Sequence, residues 1–288
     1  DVDFMPELGL DVKYGVTPGL TLDLTVNTDF AQVEADEQQI NLTRFSLFFP
    51  EKREFFLENA SIFQFARQGA RRRVGGRSRL DSDLIPFFSR RIGISRGGLV
   101  PVLGGVRLTG RAGAYTLGLF SMQTDKIQDT PSTNFSVIRV RGDILQSSDV
   151  GGIFVNKEEG GGQNNRTYGV DGNFNLLDHL DLTSFLLKTE TPGLEDQDMA
   201  GSLTVAWNDP RFQLESQYLA IGENFNPEVG FVPRKGIKKN RGRITWTPRP
   251  GERIPWIREF RVLNWIDSIN KTSGPLETRQ METHPTLA

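Results

Sequence analysis

The chain has 288 residues, 34 Lys+Arg against 36 Asp+Glu and a net charge of −2, so its overall charge does not draw it to nucleic acid. It contains no cysteine and two histidines, His179 and His284, which excludes disulfide scaffolds, thiol nucleophiles and Cys-ligated zinc and leaves too few ligands for a multi-histidine metal site or a His-based triad. Hydrophobic residues are 37% of the sequence, yet 20 Phe, 4 Tyr and 4 Trp argue against disorder, and no run of 18 apolar residues is present to form a transmembrane helix.

Period-two alternation recurs along the chain, in pairs. Residues 10–15 and 20–27 flank Val16-Thr17-Pro18-Gly19; in the second segment Leu20, Leu22, Leu24 and Val26 share one face, with Thr21, Asp23 and Thr25 on the other. After a long region, 28–100, the pairing resumes with 102–111 and 114–122 around Ala112-Gly113. There Val106 and Leu108 alternate with Arg107, Thr109 and Arg111, and Tyr115, Leu117 and Leu119 continue the apolar row. Segments 134–144 and 150–156 flank Gln146-Ser147-Ser148 and set Ile138, Val140 and Ile144 against Arg139, Arg141 and Asp143. Segments 167–176 and 180–189 flank Asp178-His179, with Tyr168, Val170, Phe174 and Leu176 opposing Thr167, Asp171, Asn173 and Asn175.

Segments 199–207 and 212–221 flank Asn208-Asp209-Pro210-Arg211. Leu203, Val205 and Trp207 oppose Ser202, Thr204 and Asn208, while Phe212, Leu214 and Tyr218 oppose Gln213, Glu215 and Gln217. A weaker pair, 241–247 and 257–269, brings the count to about twelve strands. Thr286-Leu287-Ala288 shows no evident closing strand, so the chain reads as a single domain over 1–288 that is a fragment, with His284 in a tail outside any pair.

Connections within pairs are short and rich in Gly, Pro, Asn, Asp and Ser; those between pairs, 124–133, 157–166, 190–198 and 222–240, are longer and polar. That asymmetry marks an outer-membrane barrel, with periplasmic turns on one side and extracellular loops on the other. In hydrocarbon every backbone N–H and C=O must be paired within the protein, so a sheet must close on itself. Arg107, Arg139, Arg141, Asp171 and Glu215 are then expected to face the lumen, because a charge at the lipid midplane costs about 2–4 kcal/mol. The fold class expected is all-β: an antiparallel up-and-down outer-membrane β-barrel, partial, with a large inserted segment (28–100) after the second strand as a candidate plug. The localisation expected is the bacterial outer membrane. Leu117→Arg or Val170→Arg is expected to block membrane assembly, and Thr109→Arg, into the lumen, to be tolerated. Trp207, Trp246, Trp256 and Trp265, with Tyr115, Tyr168 and Tyr218, are expected to form interfacial girdles.

The stretch LTLDLTVNTDFAQVEADEQQINLTRFSLFFPEKREFFLENASIF, with FFSRRIGI and GENFNPEVGFVPR after it, resembles a family of bacterial outer-membrane proteins whose barrel domain has no assigned function. In that family a signal peptide and a periplasmic module similar to family-nine carbohydrate-binding domains precede the barrel. The resemblance runs from about residue 9 to residue 249 and implies a barrel fold, with a glycan connection through the upstream module alone. It carries over no catalytic residue.

Two readings of the inserted segment follow: a structural unit packed in the barrel, or a solute path lined by Glu51, Arg53, Glu58, Arg90 and Arg91. A second place for specificity is Asn224, Asn226 and Glu228, in a rigid aromatic segment expected to fold back as a constriction. The basic run Arg71-Arg72-Arg73-Val74-Gly75-Gly76-Arg77-Ser78-Arg79 reads as a solvated loop or a contact for anionic lipopolysaccharide; without an aromatic stacking platform it does not read as a nucleic-acid site. The loop acids Glu158, Glu159, Glu195, Asp196 and Asp198 are read as solvated. No catalytic residue, cofactor or metal is expected. The expected partners are outer-membrane lipid, lipopolysaccharide and glycans bound through the upstream module. The functions weighed are solute passage or docking linked to glycan uptake, a structural anchor for a carbohydrate-binding module, and a soluble β-sandwich glycan-binding domain or glycosidase.

Overall fold

The computed structural model describes residues 9–27, 47–66, 73–74, 77–78, 83–95, 98–249 and 259–287. Among the described residues the first elements are β1 (Leu10–Thr17) and β2 (Leu20–Val26). The inserted segment follows. It carries a one-turn helix α1 (Glu54–Leu57), 3-10 turns at Ala60–Phe63 and Ser89–Arg91, and two minimal ladders, β3 (Arg73–Val74) with β4 (Arg77–Ser78) and β5 (Ile94–Ser95) with β6 (Gly98–Leu99). Then come β7 (Val102–Ala112), β8 (Tyr115–Thr124), β9 (Thr133–Ile144), β10 (Ser148–Glu159), β11 (Gln163–Leu176), β12 (Leu180–Glu190), β13 (Met199–Asn208), β14 (Phe212–Ile221), β15 (Ile237–Trp246), β16 (Phe260–Lys271) and β17 (Leu276–Leu287).

One antiparallel, up-and-down sheet of 13 strands takes β1, β2 and then β7 to β17 in sequence order, so the all-β class and the insertion after the second strand hold. Two details differ from the sequence reading. The main sheet has 13 strands because β17 pairs along β16, placing His284 opposite Leu263 instead of in a tail. Its sequence, LETRQMETHPTL, has no alternation to announce it. Backbone pairing makes the strand, and Pro285 is tolerated because β17 lies at an edge. The polar connection expected over 157–166 shrinks to Gly160-Gly161-Gly162, since Lys157, Glu158 and Glu159 pair with Asn165, Asn164 and Gln163. Gly161 and Gly162 take φ of +119° and +86°, values that L side chains rarely adopt.

The convex face of the sheet carries a row of exposed, large apolar side chains. Leu119, Ile138, Val140, Val170, Leu186, Leu203, Leu214 and Ile244 are exposed, Val170 by 61%. On the other face Asp23, Arg107, Thr109, Thr116, Arg139, Asp171, Asn173 and Lys239 are buried. The register aligns the outward row across strands: Leu108 opposes Leu119, Leu119 opposes Ile138, Ile138 opposes Phe154, and Phe154 opposes Tyr168. Leu22, Leu117, Val170 and Leu214 are not gathered in a closed core, which is what a β-sandwich requires.

The inner face is curved. Asp83 bonds Lys239 on β15, and Phe87, four residues later, packs its ring against Phe120 on β8. In a flat sheet those strands would stand seven spacings apart, roughly 34 Å at about 4.8 Å each, whereas four residues reach about 14 Å. The sheet therefore wraps around what it encloses. It does not close: β1 and β17 are not paired with each other among the described residues.

Candidate functional site

The concave face divides by height. Toward the long connections it is apolar, with Phe120, Met122, Val137, Ile153, Val155, Leu187, Leu219 and Ile221. Into this belt the inserted segment places Phe56, Phe63, Phe65, Leu84 and Ile92, joined by Phe225 and Val229 from residues 222–236. Toward the short turns the inward positions are polar, among them Thr183, Ser202, Thr204, Gln213, Glu215, Gln217, Arg243 and Thr245. The Phe-rich insertion needs a dry wall, and the upper half of the sheet supplies it. Gly118 shows how close the approach is: a Cβ there would lie 2.9 Å from both Ile62 Cγ2 and Phe63 Cε1.

Ion pairs tie the insertion to the wall at mid-height. Arg107 on β7 donates from Nε (3.0 Å) and Nη2 (2.8 Å) to Asp23 Oδ2 on β2. It also donates to the insertion, through Nη1 to the carbonyls of Phe55 and Glu58 and through Nη2 to Glu58 Oε2 at 3.0 Å. Lys13 reaches the same Glu58 from β1, and its hydrogen bond holds that carboxyl below the usual glutamate range. On the other side Arg139 and Asp171 form a bidentate pair at 2.6 and 2.8 Å, each side chain only 1% exposed. Arg139 Nε donates to the Gln64 carbonyl (3.1 Å), and the Ala66 N–H donates to Asp171 Oδ2 (2.9 Å). The pair spans from β9 to β11 across β10, over Gly151; a Cβ at that position would lie 2.5 Å from Arg139 Nη1 and 2.9 Å from Asp171 Oδ1. A third tie runs from Lys239 on β15 to Asp83 on the insertion at 2.8 and 2.9 Å, with Asp267 serving Lys239 and Arg241 beneath it.

The Pro50-Glu51-Lys52-Arg53 corner is locked internally. Arg53 donates from Nε and Nη2 to Glu51, both at 2.8 Å, and also to the carbonyls of Ile92 (2.7 Å) and Ser89 (2.8 Å). Ser89 Oγ donates to Glu51 at 2.7 Å, and Arg53 lies 4.1 Å from the centroid of the Phe56 ring. Burial pushes the Glu51 carboxyl up, but the Arg53 hydrogen bonds and charge, with Ser89, outweigh it and leave the pKa below the usual value.

Residues 222–236 fold inward at the long-connection end. Ile85 and Phe231 exchange two 2.8 Å backbone hydrogen bonds, and Phe88 N–H donates to the Val229 carbonyl. Asn165 on β11 clamps the loop, donating to the Asn226 carbonyl (2.8 Å) and accepting from the Glu228 N–H (3.1 Å). Glu228 pairs with Lys157 at 2.8 Å, and Asn224 donates to the carbonyls of Glu195 and Asp196.

The structure thus places the sequence-derived residues in three groups. Glu51 and Arg53 bind each other; Glu58, Arg107, Arg139 and Asp171 belong to the ionic belt; Arg91, Asn226 and Glu228 meet at the mouth. Arg90 stands apart, donating to the Pro50 carbonyl. Arg141 and Glu215 face inward below the belt. Among the described residues Arg141 Nε is buried without a protein acceptor, and Glu215 stands opposite Arg243. Lys235, Lys239 and Asp83 were missed by the sequence reading, because nothing in their local pattern reveals that distant segments meet there. Trp265 corrects the girdle expectation: it lies on the inner face, opposite Arg243, and donates to Glu282 at 3.2 Å. Trp207 and Trp246 are outward at the short-turn rim. Trp256, residues 28–46 and most of the basic run 71–79 lie outside the described residues.

This geometry defines a class: an up-and-down β-sheet with an apolar convex face, wrapped around an inserted segment that is held by buried ion pairs. In sequence, residues 2–136 match the family described as Domain of unknown function (DUF5916). No curated protein matches. Among solved structures the chain is similar to OccK11 (OpdR) of Pseudomonas aeruginosa, at 9% identity and a TM-score of 0.41, over 95% of this chain and 66% of that one.

Proposed function

We propose that the chain is the barrel region of a bacterial outer-membrane protein that docks a solute at the cell surface and passes it inward, in connection with glycan uptake. One observation carries the reading. Apolar side chains cover the convex face while paired charges and the insertion fill the concave one, an arrangement that suits lipid outside and a plugged lumen inside. The periplasmic side is the short-turn side and the mouth at residues 222–236 faces out; lipid and lipopolysaccharide are its surroundings. The role is non-enzymatic. The link to glycans rests on the resemblance to proteins with an upstream carbohydrate-binding module.

The seated insertion favours docking with gated entry over free diffusion, and it keeps a second reading open, an anchor for a sugar-binding module. Planar-bilayer conductance of the full-length protein separates them. The proposal predicts low conductance in the wild type and a rise when Arg139→Ala loosens the insertion. Silence in both, with polysaccharide capture that depends only on the upstream module, leaves the anchor.

A further inference from the structure

At the mouth, three segments far apart in sequence surround a pocket of about 330 Å³: the turn at Ser89–Arg91, the tip of β10, and residues 222–236. Its polar lining is Arg91, Lys157, Asn226, Glu228 and Lys235, three cations against one carboxylate. The volume is at the small end for ligand sites. The cations are not equally committed. Lys157 is neutralised by Glu159 and Glu228. Among the described residues Lys235 Nζ bonds only the neutral Asn226 Oδ1, at 2.6 Å. Arg91 spends Nε on the Gly230 carbonyl at 3.1 Å, and neither Arg91 nor Lys235 has a carboxylate within ion-pair distance among the described residues. Glu228, the carboxylate whose field reaches Lys235, is already bonded to Lys157.

An ammonium and a guanidinium, both on exposed side chains that line one hollow and neither in an ion pair among the described residues, form an incomplete electrostatic set. A carboxylate or phosphate group completes it with charge-assisted hydrogen bonds. The backbone is stiff enough to hold that geometry, since Pro227 and the Asn165 clamp fix the loop. Partial desolvation of Lys235, which lowers its pKa, agrees with a cation lacking a full partner.

We propose that this pocket binds a small solute bearing a carboxylate or phosphate, held between Arg91 and Lys235, with Asn226 and Glu228 available to its hydroxyl groups. The site deepens the docking reading at the same mouth, and its test needs no membrane, so a failure of conductance and a failure of this pocket are separate results.

The test is isothermal titration of the full-length protein in detergent micelles with inorganic phosphate, D-glucuronate and neutral glucose. Phosphate or glucuronate is expected to bind and glucose not to; whichever of the two binds tighter identifies the anionic group. Lys235→Gln and Arg91→Gln should each weaken binding about tenfold. Glu228→Gln should tighten it several-fold, because it removes a competing anion from the pocket and leaves Lys157 paired with Glu159 alone, while the Gln amide can still bond a hydroxyl group. Simple damage to the loop would weaken binding in all three variants. No binding of either anion to the wild type, or weakening by Glu228→Gln as well as by Lys235→Gln, overturns the proposal.

Discussion

Removal of the Asp171 carboxylate is the sharpest perturbation of the ionic belt. Asp171→Ala leaves the Arg139 guanidinium, 1% exposed, without its bidentate partner, and leaves the Ala66 N–H without an acceptor. Truncating one side of a buried pair costs about 3–5 kcal/mol, because the surviving charge stays desolvated. At about 1.4 kcal/mol per tenfold, that is two to nearly four orders of magnitude in the folding equilibrium. The double replacement Arg139→Met with Asp171→Leu removes both charges and should recover most of the loss, since an apolar pair of similar volume often matches a buried ion pair. Urea unfolding in micelles reads the stability, and chymotrypsin cleavage at Phe63 and Phe65 reads release of the insertion. A cost below about 1 kcal/mol for Asp171→Ala would refute the reasoning. So would a double variant as unstable as the single one.

Further consequences follow from the same geometry. Val170→Arg puts a charge on a side chain that is 61% exposed on the convex face; at the lipid midplane it should cost about 2–4 kcal/mol and lower the folded fraction in lipid vesicles. Gly118→Val drives a branched side chain into Ile62 and Phe63, so chymotrypsin should cut the insertion faster while the strand signal in circular dichroism persists. Glu51 has a native pKa below its unfolded value, so its contribution is complete above about pH 4.3 and is lost as pH falls through the native value. Thermal melting between pH 3 and 7 should show that loss, and Glu51→Gln should remove this part of the acid dependence while lowering stability at pH 7.

Much of the sheet was legible because alternation reports directly on which face a strand buries. Val106, Arg107 and Leu108, or Val170 and Asp171, announce their sides without any long-range information. The interior was less legible. Thr109 reads as a lumen-facing residue able to accept Arg, yet it is 1% exposed and accepts a hydrogen bond from Asn59, so Thr109→Arg should displace the insertion instead of being tolerated. Arg107, Arg139 and Asp171 were recognisable as inward, but their partners Phe55, Gln64 and Ala66 lie about 50 to 105 residues away and are joined only by the packing of the insertion. Lys235 and Lys239 look like ordinary loop and strand cations until the chain is folded. The strand β17 was hidden because its pairing uses backbone groups and its side chains carry no period.

The convex face is the claim on which the functional account turns, and the absence of cysteine makes it directly measurable. Single cysteines introduced for nitroxide labelling at Leu119, Phe120, Val137, Ile138, Leu186 and Leu187, with the protein reconstituted in lipid bilayers, sample neighbouring inward and outward positions. The account predicts high collision with oxygen at Leu119, Ile138 and Leu186, and low collision with both oxygen and a water-soluble nickel complex at Phe120, Val137 and Leu187. Strong collision with the nickel complex at the three outward positions would contradict it.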